Sequence, residues 1–503
     1  MVHNSRPIQW EAEPNFEIAG VDRMGFTRGV PPSIMGRHFL FLGETGSGKT
    51  ANGLIPTTIG IAGYGVAYAV DQPCAACLII DPKAEVHAAL INAGVNRDRI
   101  ILIDNAHPIT IDVFDGFNEP ASIRDKLEYL LGIVSPHAKG IGGHGDNVFF
   151  HQAAFGVVAR LTELAHAATR YGTTLGEAIM QELGSRGDPD GPIREMWHRL
   201  RWLRTLPGSV LFREIQELIQ VGSTLNPERS ARDHDQEYML SWLYEALARC
   251  TTTFCPGAGH PLAALRGLPH RTFASVMATA HTLLEGIATP LLAQRLKSFD
   301  VGQTALDISA AINTGKIILY TPPAHRSATE DAFGKFLKTA FFRQSFARED
   351  NRRAVAYICD EFQRYITVDD ETGEQSYADR IRAYRGICVF ATQSIAAVHS
   401  AVQPANRAAA PGAHLGVDAL LSTIGNKVFF RTTEMASMQL LRGLIPPPSI
   451  PGMPHVLDVY PTAALVPGEY YAVLADGRWA HGAAPASSPE PLNSSRPCSI
   501  EMP

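Results

Sequence analysis

The stretch HFLFLGETGSGKT, residues 38–50, gives the strongest indication of the fold of this protein. Its apolar start is typical of a buried β-strand, and the loop that follows leads into a helical run. The loop matches the phosphate-binding pattern G-x-x-x-x-G-K-[ST] without exception, so its backbone N–H groups can cradle phosphate oxygens. We therefore expect ATP and Mg²⁺ to bind here, at Gly43, Glu44, Thr45, Gly46, Ser47, Gly48, Lys49 and Thr50.

A second apolar run, RAVAYICDEF at residues 353–362, ends in two adjacent carboxylates. A phosphate-binding loop needs a carboxylate at the end of another buried strand to hold Mg²⁺. We assign Asp360 to the metal site together with Thr50, and Glu361 to the attacking water as general base. The alternative is a helix N-cap at a strand end. Lys49, within the loop, is expected to reach the β- and γ-phosphates.

A third apolar run, GICVFATQS at residues 386–394, ends in polar side chains. Gln393 is the candidate sensor of the γ-phosphate, and a plain strand-end turn is the alternative. Just before this run lie Arg380, Arg382 and Arg385. If the protein forms a ring, one of them could act as an arginine finger on the ATP of a neighbour. The alternative is a solvated helix face.

Short apolar strands that end in acidic residues predict a buried parallel sheet with helices on its faces, which is an α/β fold. Helical periodicity dominates between the two halves of this pattern and predicts an inserted all-alpha domain. The predicted organisation is a lead-in (1–36), a first nucleotide-binding part (37–134), the all-alpha insertion (135–300), a second nucleotide-binding part (301–481) and a disordered tail (482–503).

Composition restricts the classes of function. The formal net charge is −6 and the sequence pI is about 6.3, so any DNA binding must come from a local basic surface. The seven cysteines are odd in number and scattered, which favours a reducing compartment without a disulfide framework. No signal peptide is visible, and the most apolar run, residues 57–70, is too short to cross a bilayer.

Further stretches, in this order along the chain, carry a family resemblance. They are IIDPKAE (79–85), DNVFFHQAA (146–154), FASVMATAHTLL (273–284), DEF (360–362), ATQS (391–394) and GNKVFFRTTE (425–434). With the phosphate-binding loop, this ordered set resembles the coupling-protein family of type IV secretion and conjugation, within the HerA/FtsK group of hexameric DNA pumps. The resemblance covers residues 37–480.

The resemblance implies a RecA-like P-loop domain with an inserted all-alpha domain, assembled as a homohexamer around DNA. It implies Lys49 and Thr50 for the nucleotide, Asp360 and Glu361 for hydrolysis, and Gln393 as the γ-phosphate sensor. An arginine finger would fall near Arg382, although its spacing to Gln393 differs from that of the family. Relaxase or secretion-channel components are the partners that the resemblance suggests.

Typical members of that family carry transmembrane helices near the N-terminus, and this sequence shows none. We therefore expect a soluble, cytoplasmic relative that reaches the inner membrane only through a partner. The resulting hypothesis is an ATP-driven DNA translocase that moves DNA or a nucleoprotein substrate through a hexameric ring.

Two other hypotheses remain open from the sequence. One is a HerA-like defence or DNA-processing ATPase that works with a separate nuclease, since no nuclease motif is visible in this chain. The other is an adaptor that recruits protein substrates and uses ATP hydrolysis for gating.

Overall fold

The computed structural model describes most of the residues around the phosphate-binding loop and fewer in the middle of the chain. The described residues are 16–17, 29–30, 32–63, 74–107, 109–112, 127, 131, 149–162, 212–213, 215–217, 219–220, 268–285, 287–289, 296–297, 305–323, 328–348, 351–367, 373–402, 412–447 and 453–483.

The centre of the fold is a nine-stranded sheet with the order β13-β12-β11-β3-β10-β9-β4-β8-β5. The seven strands from β11 to β5 run parallel, and β12 and β13 add an antiparallel edge. The strands are β3 (Phe39–Leu42), β4 (Ala76–Ile80), β5 (Ile100–Ile103), β8 (Ile317–Tyr320), β9 (Val355–Cys359), β10 (Gly386–Thr392), β11 (Asn426–Phe429), β12 (Glu469–Val473) and β13 (Trp479–Ala483). Two further pairs are separate from this sheet: β1 (Phe16–Glu17) with β2 (Gly29–Val30), and β6 (Ile111–Asp112) with β7 (Leu296–Lys297).

Helices connect the strands. They are α1 (Pro32–Met35), α2 (Ile55–Gly63), α3 (Val86–Asn92), α4 (His270–Glu285), α5 (Ile308–Asn313), α6 (Ala328–Ala347), α7 (Glu374–Ile381), α8 (Ile395–Val402), α9 (Gly412–Thr423), α10 (Met435–Leu444) and α11 (Val456–Val459). Short 3₁₀ turns occur at Arg97–Arg99, Phe362–Arg364, Arg382–Tyr384 and Thr462–Ala464, and a π-helical turn at Thr50–Leu54.

The central strands are buried along their whole length because helices cover the sheet. Every residue of β3, β4, β8, β9 and β10 is buried. Such continuous apolar runs are what a parallel sheet with two covered faces requires. On one face, Phe41, Ile79 and Val389 form a core with Leu54 and Ile61 from the helical segment that follows the phosphate-binding loop. The α/β class expected from the sequence is confirmed.

The strand order brings distant parts of the chain to one edge of the sheet. The neighbours of β3 are β10 and β11, and β10 in turn lies beside β9 and β9 beside β4. All these strands are parallel, so their carboxyl ends meet at the same edge. In open α/β sheets, ligands bind in the crevice outside the carboxyl ends of the strands.

The chain divides into two compact units. One comprises residues 1–107, 307–326 and 337–503 and contains the nine-stranded sheet; the other comprises residues 108–306 and 327–336. In the second unit, residues 149–162 and α4 are helical, and Gln216 Nε2 donates a hydrogen bond of 2.9 Å to the carbonyl of His281. The predicted domain boundaries stay a prediction, since much of 135–300 and nearly all of 482–503 lie outside the described residues.

Two sequence expectations concern membrane crossing and cysteine pairing. Within the described part of the chain, no helix has the length and apolar character needed to span a bilayer. Cys74, Cys77, Cys359 and Cys388 are free thiols. The other cysteines lie outside the described residues: Cys250, Cys255 and Cys498.

Candidate active site

The phosphate-binding loop follows β3 and ends in the π-helical turn that precedes α2. Gly46 and Gly48 have φ angles of 78° and 91°, in the left-handed region that favours glycine. A Cβ at Gly48 would lie 2.9 Å from the backbone nitrogen of Gly468, so the close approach also excludes a side chain. That Gly468 N–H donates a hydrogen bond of 3.0 Å to the carbonyl of Ser47. The loop is therefore held in its turned conformation by the segment that leads into β12.

The neighbouring strand ends hold the start of the loop. The Gly43 N–H donates to the carbonyl of Thr392 at the end of β10, over 3.3 Å, and the Glu44 N–H donates to the carbonyl of Arg431 over 3.0 Å. Arg431 Nε also forms an ion pair of 2.5 Å with Glu44 Oε1. The ends of β10 and β11 thus fix the loop from both sides of β3.

The two parts predicted to hold a metal meet in the structure. Thr50 Oγ1 donates a hydrogen bond of 3.1 Å to Asp360 Oδ2. Asp360 is fully buried directly after β9, where its N–H donates to the carbonyl of Ile80 at the end of β4 over 3.0 Å. The parallel pairing of β9 with β4 therefore fixes the position of the carboxylate.

Glu361 adopts an unusual backbone conformation. Its φ and ψ are 51° and 43°, the left-handed region, and its N–H donates to Asp360 Oδ1 over 2.9 Å. Non-glycine residues seldom adopt this conformation, and such strain is common at functional sites. The turn allows two adjacent residues to serve one site, with Asp360 beside Thr50 and Glu361 beside the end of β10.

Two glutamines hold the Glu361 carboxylate. Gln363 Nε2 donates to Glu361 Oε2 over 2.7 Å, and Gln393 Nε2 donates to the same oxygen over 3.1 Å. Gln363 is positioned in turn by Thr392 Oγ1, which donates to its Oε1 over 2.8 Å. The sequence predicted Gln393 and missed Gln363, whose only signal was its place two residues after the glutamate.

Burial alone raises the pKa of Glu361, but neighbouring groups outweigh it and lower the pKa below its ordinary value. The positive charge of Lys83 has the largest lowering effect, followed by the Gln363 hydrogen bond and the charge of Lys49. The carboxylate is therefore ionised near neutral pH, which is the form that can accept a proton from water.

Lys83, a second residue that sequence analysis missed, lies among the predicted metal and base residues. Its Nζ donates to Thr50 Oγ1 and to Asp360 Oδ2, each over 2.9 Å, and lies 3.4 Å from Glu361 Oε1. The sequence placed Lys83 in the strand-end stretch IIDPKAE without a role. The sequence did contain one signal for Lys83, which is its position two residues after Asp81 at the end of a strand.

Lys49 and Ser47 are buried inside the loop. Burial lowers the pKa of Lys49, and the nearby charge of Lys83 lowers it further. The buried Ser47 Oγ has no hydrogen-bond partner among the described residues. A buried hydroxyl without a partner is costly unless a ligand supplies one, so this atom suits a loop that receives phosphate oxygens.

The donor set also fits Mg²⁺. The Thr50 hydroxyl and the Asp360 carboxylate are hard oxygen ligands, and Mg²⁺ in nucleotide sites takes few protein ligands and keeps several waters. Among the described residues, no group of three or more His, Cys, Asp or Glu side chains could hold a metal by itself. A site completed by nucleotide phosphates and water agrees with this arrangement.

Arg382 lies away from these residues. It is exposed and precedes β10, whereas Gln393 follows β10, so the two are at opposite ends of one buried strand. Arg380 is anchored locally, with Nε donating to the carbonyl of Ser376 over 3.0 Å, and Arg385 Nη1 donates to the carbonyl of Arg352 over 2.5 Å. Arg382 therefore cannot serve the nucleotide site of its own chain.

Comparison with known proteins establishes the fold. No protein-family model matches the sequence, and a search of curated proteins found no match. Among solved structures, the plasmid coupling protein TrwB in complex with the ATP analogue ADPNP is similar, with 12% identity, a TM-score of 0.52, and coverage of 96% of this chain and 92% of TrwB. TrwB in complex with ADP and Mg²⁺ gives 13% identity, a TM-score of 0.50, and coverage of 92% and 89%. The chain therefore has the RecA-like P-loop fold of a conjugative coupling protein.

Proposed function

We propose that this protein binds ATP with Mg²⁺ and hydrolyses it to move DNA, as a translocase of the coupling-protein type. The proposal of ATP hydrolysis is based on the position of Glu361. Its carboxylate is held by Gln363 and Gln393 and lies beside the Thr50–Asp360 pair. ATP and Mg²⁺ as ligands are supported by the complexes of TrwB, which has the same fold.

The residues of the chain divide the chemistry among them. The turned backbone of the loop and the buried Lys49 receive the β- and γ-phosphates. Thr50 and Asp360 would hold Mg²⁺, which would supply positive charge next to the phosphate oxygens. Glu361 accepts the proton of the attacking water as general base. Gln393 contacts Glu361 and extends from the end of β10, where it can report the presence of the γ-phosphate.

The DNA translocase part rests on the fold and on the position of Arg382. TrwB is described as a bacterial conjugative coupling protein, which supports the same class of process for this chain. An exposed arginine at the opposite end of β10 from the site suits a finger that acts on the nucleotide of a neighbouring subunit. The proposal includes a homohexameric ring around DNA, with relaxase or secretion-channel partners, as the family resemblance implies.

The test is the rate of ATP hydrolysis with and without single-stranded and double-stranded DNA at several stated salt concentrations. We expect DNA to stimulate hydrolysis, and we expect the stimulation to decline with salt because phosphate contacts release counterions. Glu361→Gln is the control, since it removes the base and keeps the shape and hydrogen bonding of the side chain.

The outcomes separate the hypotheses. Stimulation that is lost in Glu361→Gln supports the DNA translocase and shows which strand form the protein prefers. Hydrolysis that is indifferent to both forms of DNA contradicts the translocase and favours an adaptor for protein substrates. Lack of ATP binding by the wild-type protein contradicts the proposal as a whole.

A further inference from the structure

Lys83 makes the same contacts that a metal ion at this site needs. An ammonium group has three donors, and those of Lys83 are directed at three oxygens, one each from Thr50, Asp360 and Glu361. The first two are the oxygens assigned to Mg²⁺, and the third belongs to the assigned general base. A single positive charge thus balances part of the charge of two carboxylates.

The loop that carries Lys83 is built to hold it there. The buried Asp81 accepts from the Lys83 N–H at Oδ1 over 3.1 Å and from the Val86 N–H at Oδ2 over 2.7 Å. Ala84 between them has a φ angle of 58°, in the left-handed region. Asp81 follows β4, which pairs with β9, so the same register places Lys83 beside Asp360.

The ammonium and a divalent cation cannot both stay at these oxygens. Asp360 is fully buried and the Glu361 side chain is only 10% exposed, so repulsion between two cations there is weakly screened. The Lys83 side chain is 34% exposed and has a flexible four-carbon stem. It can therefore withdraw toward solvent while the carboxylates stay in place.

We propose that Lys83 is a placeholder cation that keeps Thr50, Asp360 and Glu361 arranged without metal and that Mg²⁺ must displace. This inference rests on the proposed nucleotide site. It adds that the Lys83 side chain lowers the affinity of that site for Mg²⁺. In this role, Lys83 prevents repulsion between Asp360 and Glu361 before the metal arrives. Its departure then frees both carboxylates for metal binding and for catalysis.

The experiment measures metal binding and requires no turnover. Mn²⁺ is titrated into the full chain at saturating ADP, and free Mn²⁺ is followed by electron paramagnetic resonance. We expect Lys83→Met to lower the Kd for Mn²⁺ about tenfold, which corresponds to about 1.4 kcal/mol of removed competition. Lys83→Gln, which keeps a polar side chain, should lower the Kd by a smaller factor.

A matched control and a locating variant accompany these two. Lys316→Met removes an ammonium that donates to the carbonyl of Asp98, away from the site, and should leave the Kd unchanged. Adding Asp360→Asn to Lys83→Met should abolish the gain, which shows that the tightened metal site is the one described.

Different binding results would contradict the placeholder role of Lys83 and the proposed nucleotide site. If wild-type protein binds Mn²⁺ with ADP and both Lys83 variants bind it equally well or more weakly, the placeholder role is wrong while the nucleotide site stands. If labelled ADP and Mn²⁺ bind to neither wild type nor variants, the nucleotide site is wrong and the inference is overturned with it. Thermal unfolding checks that each variant is folded.

Discussion

Thr50 Oγ1 lies 3.1 Å from Asp360 Oδ2, although the two residues are 310 positions apart in the chain. They do not follow neighbouring strands, because β10 lies between β3 and β9 in the sheet. The contact therefore spans the end of β10, the strand that presents Thr392 and Gln393. This arrangement explains how the Asp360 carboxylate reaches the Thr50 hydroxyl while the Glu361 carboxylate reaches Gln393, directly after the intervening strand.

Loss of the base should separate hydrolysis from binding. We expect Glu361→Gln to reduce the turnover rate of ATP about 10²- to 10⁴-fold, which is the usual contribution of a positioned general base. The affinity for labelled ATP should stay close to wild type, because Lys49 and the loop are unchanged. Single-turnover hydrolysis and equilibrium binding measure the two quantities, and a parallel loss of both would contradict the assignment of Glu361.

Gln363 should affect the rate of ATP hydrolysis by holding the Glu361 carboxylate. Gln363→Ala removes a donor to an ionised oxygen, a bond worth about 1.5–3 kcal/mol, so we expect turnover to fall at least about tenfold. Because this bond also lowers the pKa of Glu361, the acidic limb of the pH–rate profile should shift to higher pH. Gln439→Ala, on an exposed face of α10, is the control. An unshifted profile with normal turnover would show that Gln393 alone is sufficient.

The buried ion pair of Lys338 and Glu374 should stabilise the folded protein. Both side chains are fully buried and 2.5 Å apart, and Lys338 Nζ also donates to the carbonyl of Tyr365 over 2.7 Å. We expect Lys338→Met to lower the free energy of unfolding by about 3–5 kcal/mol, since it leaves the buried Glu374 carboxylate without its opposite charge, while Thr367 still donates to Oε2.

Replacing both partners of this pair should restore much of the loss, because no unpaired charge then remains. The comparison is urea unfolding of Lys338→Met against the double variant Lys338→Met, Glu374→Leu, with Lys316→Met, at a half-buried lysine, as control. A double variant no more stable than the single one would show that the backbone contacts of Lys338 matter more than its charge.

His38 should make stability depend on pH. The pKa of His38 is lowered from 6.5 to about 4, chiefly by burial and also by the charges of Arg382 and Arg37, against the opposing effect of its bond to the carbonyl of Ala378. As pH falls from about 6.5 to about 4, His38 becomes protonated in the unfolded chain but stays neutral in the folded chain. Stability present above pH 6.5 is therefore lost on acidification, by up to about 3 kcal/mol.

The measurement is urea unfolding of wild type and His38→Asn at pH 7 and pH 4.5. Asparagine tolerates the left-handed φ of 63° at this position and carries no titrating ring. The variant should be less stable at pH 7 but should lose less stability on acidification than wild type. Equal losses in the two proteins would exclude His38 as the source of this pH dependence.

Arg382 should act only between subunits. We expect wild-type turnover per subunit to increase with protein concentration, and we expect Arg382→Ala to bind ATP as wild type does but to lack this increase. Mixing Arg382→Ala with Glu361→Gln should restore part of the activity, because each variant supplies what the other lacks. Arg97→Ala, an exposed arginine elsewhere on the sheet domain, is the control. A turnover rate independent of concentration in wild type would argue against the finger.

The amino-acid sequence alone was enough to identify the phosphate-binding loop, the Asp360–Glu361 pair, Gln393 and the α/β class. Each of these follows from local pattern: glycines at fixed spacing, or an apolar run that ends in a polar group. Such patterns can be recognised in a sequence because strand-forming tendency and phosphate-loop chemistry depend on residues that are neighbours along the chain. Their assigned chemical roles stay predictions until the variants above are measured.

The three-dimensional fold was needed to show which strand ends meet, and therefore which roles are open to Lys83 and Gln363. Lys83 reaches Asp360 because β4 pairs with β9, and Gln363 reaches Thr392 because β9 pairs with β10. Strand order is a long-range property, set by how helices and strands pack, and no local spacing encodes it.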